Sequence, residues 1–221
     1  MKPAGEHLPA ARETTPAVGN TKKGLETRAR VIRGAREALE NEGIEALTTR
    51  KIAASANVRL ATLHYYFDSK EAILLAVLED MIADMAISYE NAPLASDPDE
   101  RIAELFQLIW HYIGKTRNRQ IAQFELTLYA LRTRGSEWLA ERQYGEYISF
   151  YSQFVIDDPG LSEPERTRIT TALARFILIG IDGLILQTFS LNDDEIAEES
   201  VEALIMATQA YLKRLKGAQV G

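Results

Sequence analysis

Between Asn57 and Ala72 the chain reads NVRLATLHYYFDSKEA, placing Arg59, Thr62, His64, Tyr65, Tyr66 and Lys70 within a few helical turns. A guanidinium, an ammonium, an imidazole and several hydroxyls at that density suit three uses. They are an active site, a core helix with polar edges, or a face lying against phosphates and base edges. The rest of the chain offers little to catalysis. It has no cysteine, which removes thiolate nucleophiles, disulfides and cysteine-ligated metals. His7, His64 and His111 are scattered, with neither HExxH nor ExxH spacing for a zinc or di-iron site. GNTKKG is too short for a phosphate loop and lacks the Ser or Thr that follows one. The acidic pairs Asp193/Asp194 and Glu198/Glu199 read as a solvated helix start. No enzyme, cofactor or metal is expected.

Charge is distributed unevenly. The net value of −7 argues, taken alone, against nucleic acid. Yet residues 1–70 carry 12 Lys+Arg against 8 Asp+Glu, a net of +4, while residues 71–221 carry 13 against 24, a net of −11. A polyanion senses the local field of a basic head more than the distant sum. With 221 residues and 46% apolar content, the chain can build a substantial core, and whole-chain disorder is excluded. No N-terminal apolar run resembles a signal peptide. The longest apolar passage, FILIGIDGLILQTF, is 14 residues long and contains Asp182, too short and too polar to span a bilayer. A cytoplasmic protein without a membrane partner is expected.

The elements that position these residues follow from periodicity. Residues 1–23, with three prolines and no periodic apolar set, read as a flexible arm whose Lys22 and Lys23 are free either to idle or to lie along a nucleic-acid backbone. Val31, Ile32, Ala35, Ala38 and Leu39 then mark an amphipathic helix that Gly43 ends. Thr48 caps a short second helix with Ile52, Ala53 and Ala56 inward. Asn57 tolerates the left-handed turn that follows, Val58 plugs the gap, and a third short helix covers Arg59 to Tyr66. Asp68 or Ser69 caps a long fourth helix striped by Ile73, Leu74, Val77, Leu78, Met81, Ile82 and Met85. Five more helices are expected near 99–114, 118–133, 136–155, 163–188 and 193–215, the last opened by an Asn192–Glu195 capping pair. No segment alternates like a strand, so the fold is all-α with about nine helices. The divisions are an arm (1–23), a three-helix head (24–72) and a larger helical body (73–217).

Two short helices joined by a tight turn after a longer one form a helix-turn-helix. If the third helix enters a major groove, Arg59, Leu60, Ala61, His64 and Tyr65 project outward, while Leu63 and Phe67 point to the core. The hydroxyls of Thr48, Thr49 and Tyr66, with Lys70, then reach phosphates. Such a three-helix knot also serves as a protein-binding or purely structural domain. The charge asymmetry favours DNA.

Residues 27–79, TRARVIRGAREALENEGIEALTTRKIAASANVRLATLHYYFDSKEAILLAVLE, resemble the N-terminal domain of the TetR family of bacterial transcriptional regulators. The diagnostic run RVIRGAREALENEGIEALTTRKIA is followed at fixed spacing by NV, TLHYYF and SKEAIL. Thr62, Leu63, Tyr66, Phe67, Ser69 and Lys70 match the family pattern. Asn57 replaces its glycine, Arg59 its serine cap, Ala61 its glycine or proline, and His64 its first tyrosine. The resemblance implies a homodimer on a palindromic double-stranded DNA operator, repressing until a small effector binds. Thr62 joins the DNA-facing set by that match.

The resemblance also implies that helices four to seven enclose the effector and that the last two pair with a second subunit. Aromatic and polar side chains at helical spacing nominate Phe106, Trp110, His111, Phe124, Glu125, Tyr144, Tyr147, Tyr151 and Phe176 for an apolar or amphipathic effector. Gln123 and Asp182 are further polar candidates, and a simple aromatic core fits the same stripe. For the subunit contact the stripe is Phe176, Gly180, Gly183, Leu184 and Gln187, met by Leu204, Ile205, Tyr211 and Leu212. An intrachain core explains that pattern too.

Overall fold

Residues 21–90, 92–191 and 194–217 are described by the computed structural model, and among them lie nine α-helices and no strand. Thr21 opens α1 (Lys22–Glu42): its hydroxyl accepts from the Gly24 amide at 3.2 Å, satisfying a donor that a helix start leaves free. Lys22 and Lys23 are therefore helical, which corrects the expected arm of residues 1–23. Residues 1–20 lie outside the described ones. Val31, Ala35, Ala38 and Leu39 are buried on one face, and Gly43 ends the helix at φ +80.

Thr48 caps α2 (Thr49–Ser55), accepting from the Lys51 amide at 3.2 Å. The close approach of α2 to α1 depends on Gly34, where a Cβ would lie 2.8 Å from the backbone nitrogen of Ala56. Asn57 then takes φ +50, and the Val58 amide turns back to the Ala53 carbonyl at 2.9 Å. Arg59 holds an extended cap position with no side-chain hydrogen bond, so α3 (Leu60–Tyr66) starts one residue after the expected Arg59. Ser69, accepting from the Ala72 amide at 3.1 Å, caps α4 (Lys70–Tyr89). That helix leaves the head with Ile73, Leu74, Val77, Leu78, Met81 and Met85 buried, so head and body share one apolar core.

The body comprises α5 (Pro98–Lys115), α6 (Arg117–Arg132), α7 (Glu137–Ser152), α8 (Glu163–Leu191) and α9 (Asp194–Gly217). Its helices match the expected ones to within a few residues: α8 runs on past 188 to Leu191, and α7 stops short of 155. The amides of Gln153 and Phe154 there bond to the carbonyls of Phe150 and Tyr151, a tightened last turn. The expected Asn192–Glu195 cap involves a residue outside the described ones. α6 packs on both α7 and α1, and α8 lies between α7 and α9. By length and composition α8 is the one described helix able to cross a membrane, but half of its apolar window is buried against its neighbours.

The expected subunit stripe needs correction. Leu184 and Leu212 are buried within the chain. Gly180 accommodates Leu204 of α9, whose Cδ2 lies 2.6 Å from where a Cβ would sit, and the Phe176 ring packs on Tyr211 at 5.3 Å between centroids. These residues, with the partly buried Ile205, line the α8–α9 seam. The glycine line marks where α9 lies, so the outward face is rotated from it. Gly183 and Gln187 remain on the open side, beside the exposed Ile179, Leu186 and Met206.

Candidate nucleic-acid interface and effector cavity

α3 presents Arg59, Leu60, Ala61, His64 and Tyr65 to solvent, with Thr62 and Tyr66 half-buried behind them. Leu63 and Phe67 anchor it from below, at 0% and 4% exposure. Tyr65 stands edge-on to Tyr66 with centroids 5.1 Å apart, so one ring braces the other. Thr48 and Thr49 lie at the start of α2; the Thr48 oxygen is occupied by its cap, which leaves its hydroxyl proton to donate. Arg50 on α2 and Arg28, Arg30 and Arg33 on α1 are exposed cations of the same head that the motif does not single out. Arg28 also lies over the Phe67 ring at 5.2 Å.

Lys70 does not share that face. Its ammonium donates to the Ile44 carbonyl at 3.3 Å and sits 4.6 Å from the centre of the Tyr129 ring. Burial holds its pKa below the ordinary lysine value, with Glu71 opposing. Lys70, expected at a phosphate, thus also forms a joint between head and body. Tyr129 completes the joint by donating to Glu71 at 2.7 Å. Burial and Glu71 push the Tyr129 hydroxyl up to about 12, and the same bond lowers the Glu71 carboxyl.

Within the body, α4 to α8 converge on a cavity of about 30 Å³. Phe124, Tyr144, Tyr147 and Tyr151 line it, together with Met85, Tyr112, Ile113, Gln120, Gln123, Thr127, Gln143, Leu178, Ile181, Asp182 and Ile185. The other nominated residues lie elsewhere. Phe106 is buried in the core, Trp110 packs partly buried against it, and His111 faces solvent on the next position of α5. Phe176 belongs to the α8–α9 seam. Glu125 turns toward the head, where its carboxylate accepts from the Ile44 amide at 2.8 Å beside Gly43. The fifth helix shows the reason: Tyr112 and Ile113 lie in its C-terminal part, which reaches the cavity, whereas Phe106 shares the side of Ile113 but lies two turns earlier along the axis.

Several cavity groups satisfy one another. Gln143 accepts from Thr127 at 3.0 Å and donates to the Gln123 carbonyl at 3.2 Å. Tyr144 donates to Asp182 at 2.8 Å. Burial raises the Asp182 carboxyl above its ordinary value, opposed by that bond, and burial raises the hydroxyls of Tyr144, Tyr147 and Tyr151 as well.

A polar chain links this cavity to the head. Tyr112 accepts from Arg119 of α6 at 2.9 Å. Arg119 in turn pairs with Glu40 of α1 at 2.9 Å and with Asp84 of α4 at 3.5 Å. Arg36 of α1 closes the network on Asp80 and Asp84, both at 2.6 Å. α6 therefore lines the cavity with Gln120, Gln123, Phe124 and Thr127 while holding the head through Arg119, Glu125 and Tyr129.

Comparison with known proteins agrees with both halves. A model of the tetR family of bacterial regulatory proteins matches residues 31–77. The nicotine-responsive transcriptional repressor HdnoR of Paenarthrobacter nicotinovorans is 23% identical over 192 residues, 86% of this chain and 96% of its own. The multidrug binding protein EbrR, solved in complex with ethidium, is similar at a TM-score of 0.60 and 26% identity, covering 81% of this chain and 98% of that one. A solved TetR-family member from Streptomyces coelicolor A3 gives the same score, identity and coverage.

Proposed function

This chain belongs to the TetR family of bacterial regulatory proteins and is a DNA-binding transcriptional regulator rather than an enzyme; from that premise we propose that it is a repressor released from a palindromic operator by a small apolar or amphipathic effector. In this reading residues 24–72 hold DNA and residues 73–217 hold the effector and the second subunit of a cytoplasmic homodimer. Arg59, Leu60, Ala61, Thr62, His64 and Tyr65 meet the major groove, with Arg59 suited to guanine, and Thr48, Thr49 and Tyr66 meet phosphates. Two copies of α3 about 34–36 Å apart read two half-sites, which demands a two-fold mate. Ile179, Leu186 and Met206, around the open position of Gly183, are the outward side chains that best suit it. The responses and ligands named for HdnoR and EbrR support a small-molecule effector.

One observation carries the mechanism: α6 is a wall of the cavity and a fastening of the head at once. A space of about 30 Å³ holds a water or two. Sites for drug-sized ligands are about 300–1,000 Å³. An effector must therefore move lining residues, and Met85 on α4 and Tyr112 beside Arg119 stand on the two routes to the head. Displacing Tyr112 loosens Arg119 from Glu40 and Asp84, which changes the tilt of α4 and the separation of the α3 pair. The effector shifts this equilibrium only by its differential affinity for the two conformers.

Selection from a random duplex library tests the reading. Enrichment of a palindrome is expected, lost in Arg59→Ala and Tyr66→Ala proteins that still melt cooperatively. Failure to enrich any symmetric sequence at low salt would overturn it in favour of a helical interaction scaffold.

A further inference from the structure

The inference concerns the effector's charge and rests on the cavity being the effector site. Among the lining residues Asp182 is the only acidic one, and neither lysine, arginine nor histidine lines the space. Tyr144 gives Asp182 the one hydrogen bond it receives among the described residues, at Oδ2. The nearby amide of Gln143 is already committed to Thr127 and the Gln123 carbonyl. The Tyr147 hydroxyl is buried with no partner. A carboxylate withdrawn from water without a counter-charge is costly, and an incoming cation removes that cost. Tyrosine faces add to the attraction, because the ring quadrupole favours a cation held near it.

Other ligand classes fit less well. A neutral apolar molecule leaves the carboxylate uncompensated, and an anion is repelled by it. A bare metal ion needs more oxygen donors than one side chain supplies, and no group of three acidic or histidine side chains able to hold one exists among the described residues. We propose that the cavity takes an organic monocation, an ammonium or quaternary nitrogen on an apolar body, with its charge against Asp182 and its body among Tyr112, Tyr144, Tyr147 and Tyr151.

Calorimetric titration of the full chain with isosteric pairs tests this. Benzyltrimethylammonium is paired with neopentylbenzene, and 1-methylquinolinium with 1-methylnaphthalene. Each cation is expected to bind at least about tenfold more tightly than its neutral partner, the scale of one charge-assisted contact. Asp182→Asn erases that preference, Asp182→Glu retains it, and Thr127→Phe, which fills the cavity, weakens every ligand. Equal affinity for cation and isostere, unchanged in Asp182→Asn but lost in Thr127→Phe, overturns the charge assignment and leaves the cavity as the effector site. Binding untouched by Thr127→Phe overturns the cavity assignment and the proposal with it. No binding of either cation by the unmodified chain also overturns the proposal.

Discussion

Tyr65 on α3 and Tyr147 on α7 are the same residue put to opposite uses. The first is 61% exposed, its ring braced edge-on by Tyr66 and its hydroxyl turned to solvent. The second is 7% exposed, its hydroxyl sealed inside without a partner. On α3, recognition needs a rigid helix with polar groups already facing out. In the cavity, recognition needs polar groups withheld from water until something arrives to satisfy them. The head is therefore finished before its ligand appears, and the body is not.

The largest expected effects separate these two surfaces. Arg59→Ala removes the charge at the leading end of α3, where a bidentate contact to a base is worth about 1–3 kcal/mol. Operator affinity should fall about tenfold to a hundredfold in a fluorescence anisotropy titration, with effector affinity unchanged. Loss of effector binding in the same variant would contradict a head that works independently of the cavity. Gly34→Ala attacks the rigidity of the head instead. A Cβ 2.8 Å from the Ala56 backbone cannot be relieved by a side-chain rotation, so α1 and α2 must part. Overpacking of this kind costs about 1–3 kcal/mol. The thermal midpoint should drop by several degrees, at about 2–4 °C per kcal/mol for a chain this long.

Legibility in the sequence follows the same division. Thr48, Asn57, Gly43 and the face from Arg59 to Tyr66 act through their own backbone or toward solvent, so residue type and spacing suffice to place them. Helix boundaries in the body were equally readable from periodicity. Which helical face meets which neighbour was not. Phe106, Trp110 and Phe176 look as suitable for a cavity as Tyr147, and only the neighbours that α5 and α8 pack against separate them. Lys70 fits the family motif and the phosphate-facing pattern, yet Tyr129, far away in the sequence, offers its ammonium a ring. Gly180 and Gly183 signalled a close helix approach, without saying whether the partner is α9 or another subunit.

Coupling between the two surfaces should be breakable without harming either. Arg119→Ala cuts the chain from Tyr112 to Glu40 and Asp84. Substitutions along such networks shift coupling by about 0.5–2 kcal/mol. Operator affinity without effector and effector affinity without DNA should both survive. The effector's ability to weaken the operator complex should fall several-fold. An undiminished response would place the coupling in α4 packing or in the Glu125 and Tyr129 contacts of α6 with the head.

The finished head and the waiting cavity should also differ in stability against pH. Asp182 is held above its ordinary value in the folded chain, first by burial and against the Tyr144 bond. The fold thus binds that proton more tightly than the unfolded chain does. The stability it contributes is complete below the unfolded carboxyl value and is lost as pH rises through the folded one. Asp182→Asn carries no such loss. It should melt higher, relative to the unmodified chain, at neutral pH than in mild acid, a gain in stability obtained by giving up the charge. A difference that grows on acidification would show that Asp182 is compensated within the chain.

Tyr129→Phe probes the joint with the smallest change. It keeps the ring beneath Lys70 and removes only the hydroxyl that donates to Glu71. Glu71 is only partly buried, so solvent screening limits the loss to about 0.5–1 kcal/mol. The sign with pH is opposite to that of Asp182. Glu71 is held below its ordinary value, chiefly by this hydrogen bond and against its own burial. Its contribution is present above the unfolded carboxyl value and is lost as pH falls through the folded one. The gap in thermal midpoint between Tyr129→Phe and the unmodified chain should therefore be full at neutral pH and close in acid. If the gap persists in acid, the hydroxyl acts through a contact other than the Glu71 carboxylate; if there is no gap at any pH, the joint is held by packing of the ring alone.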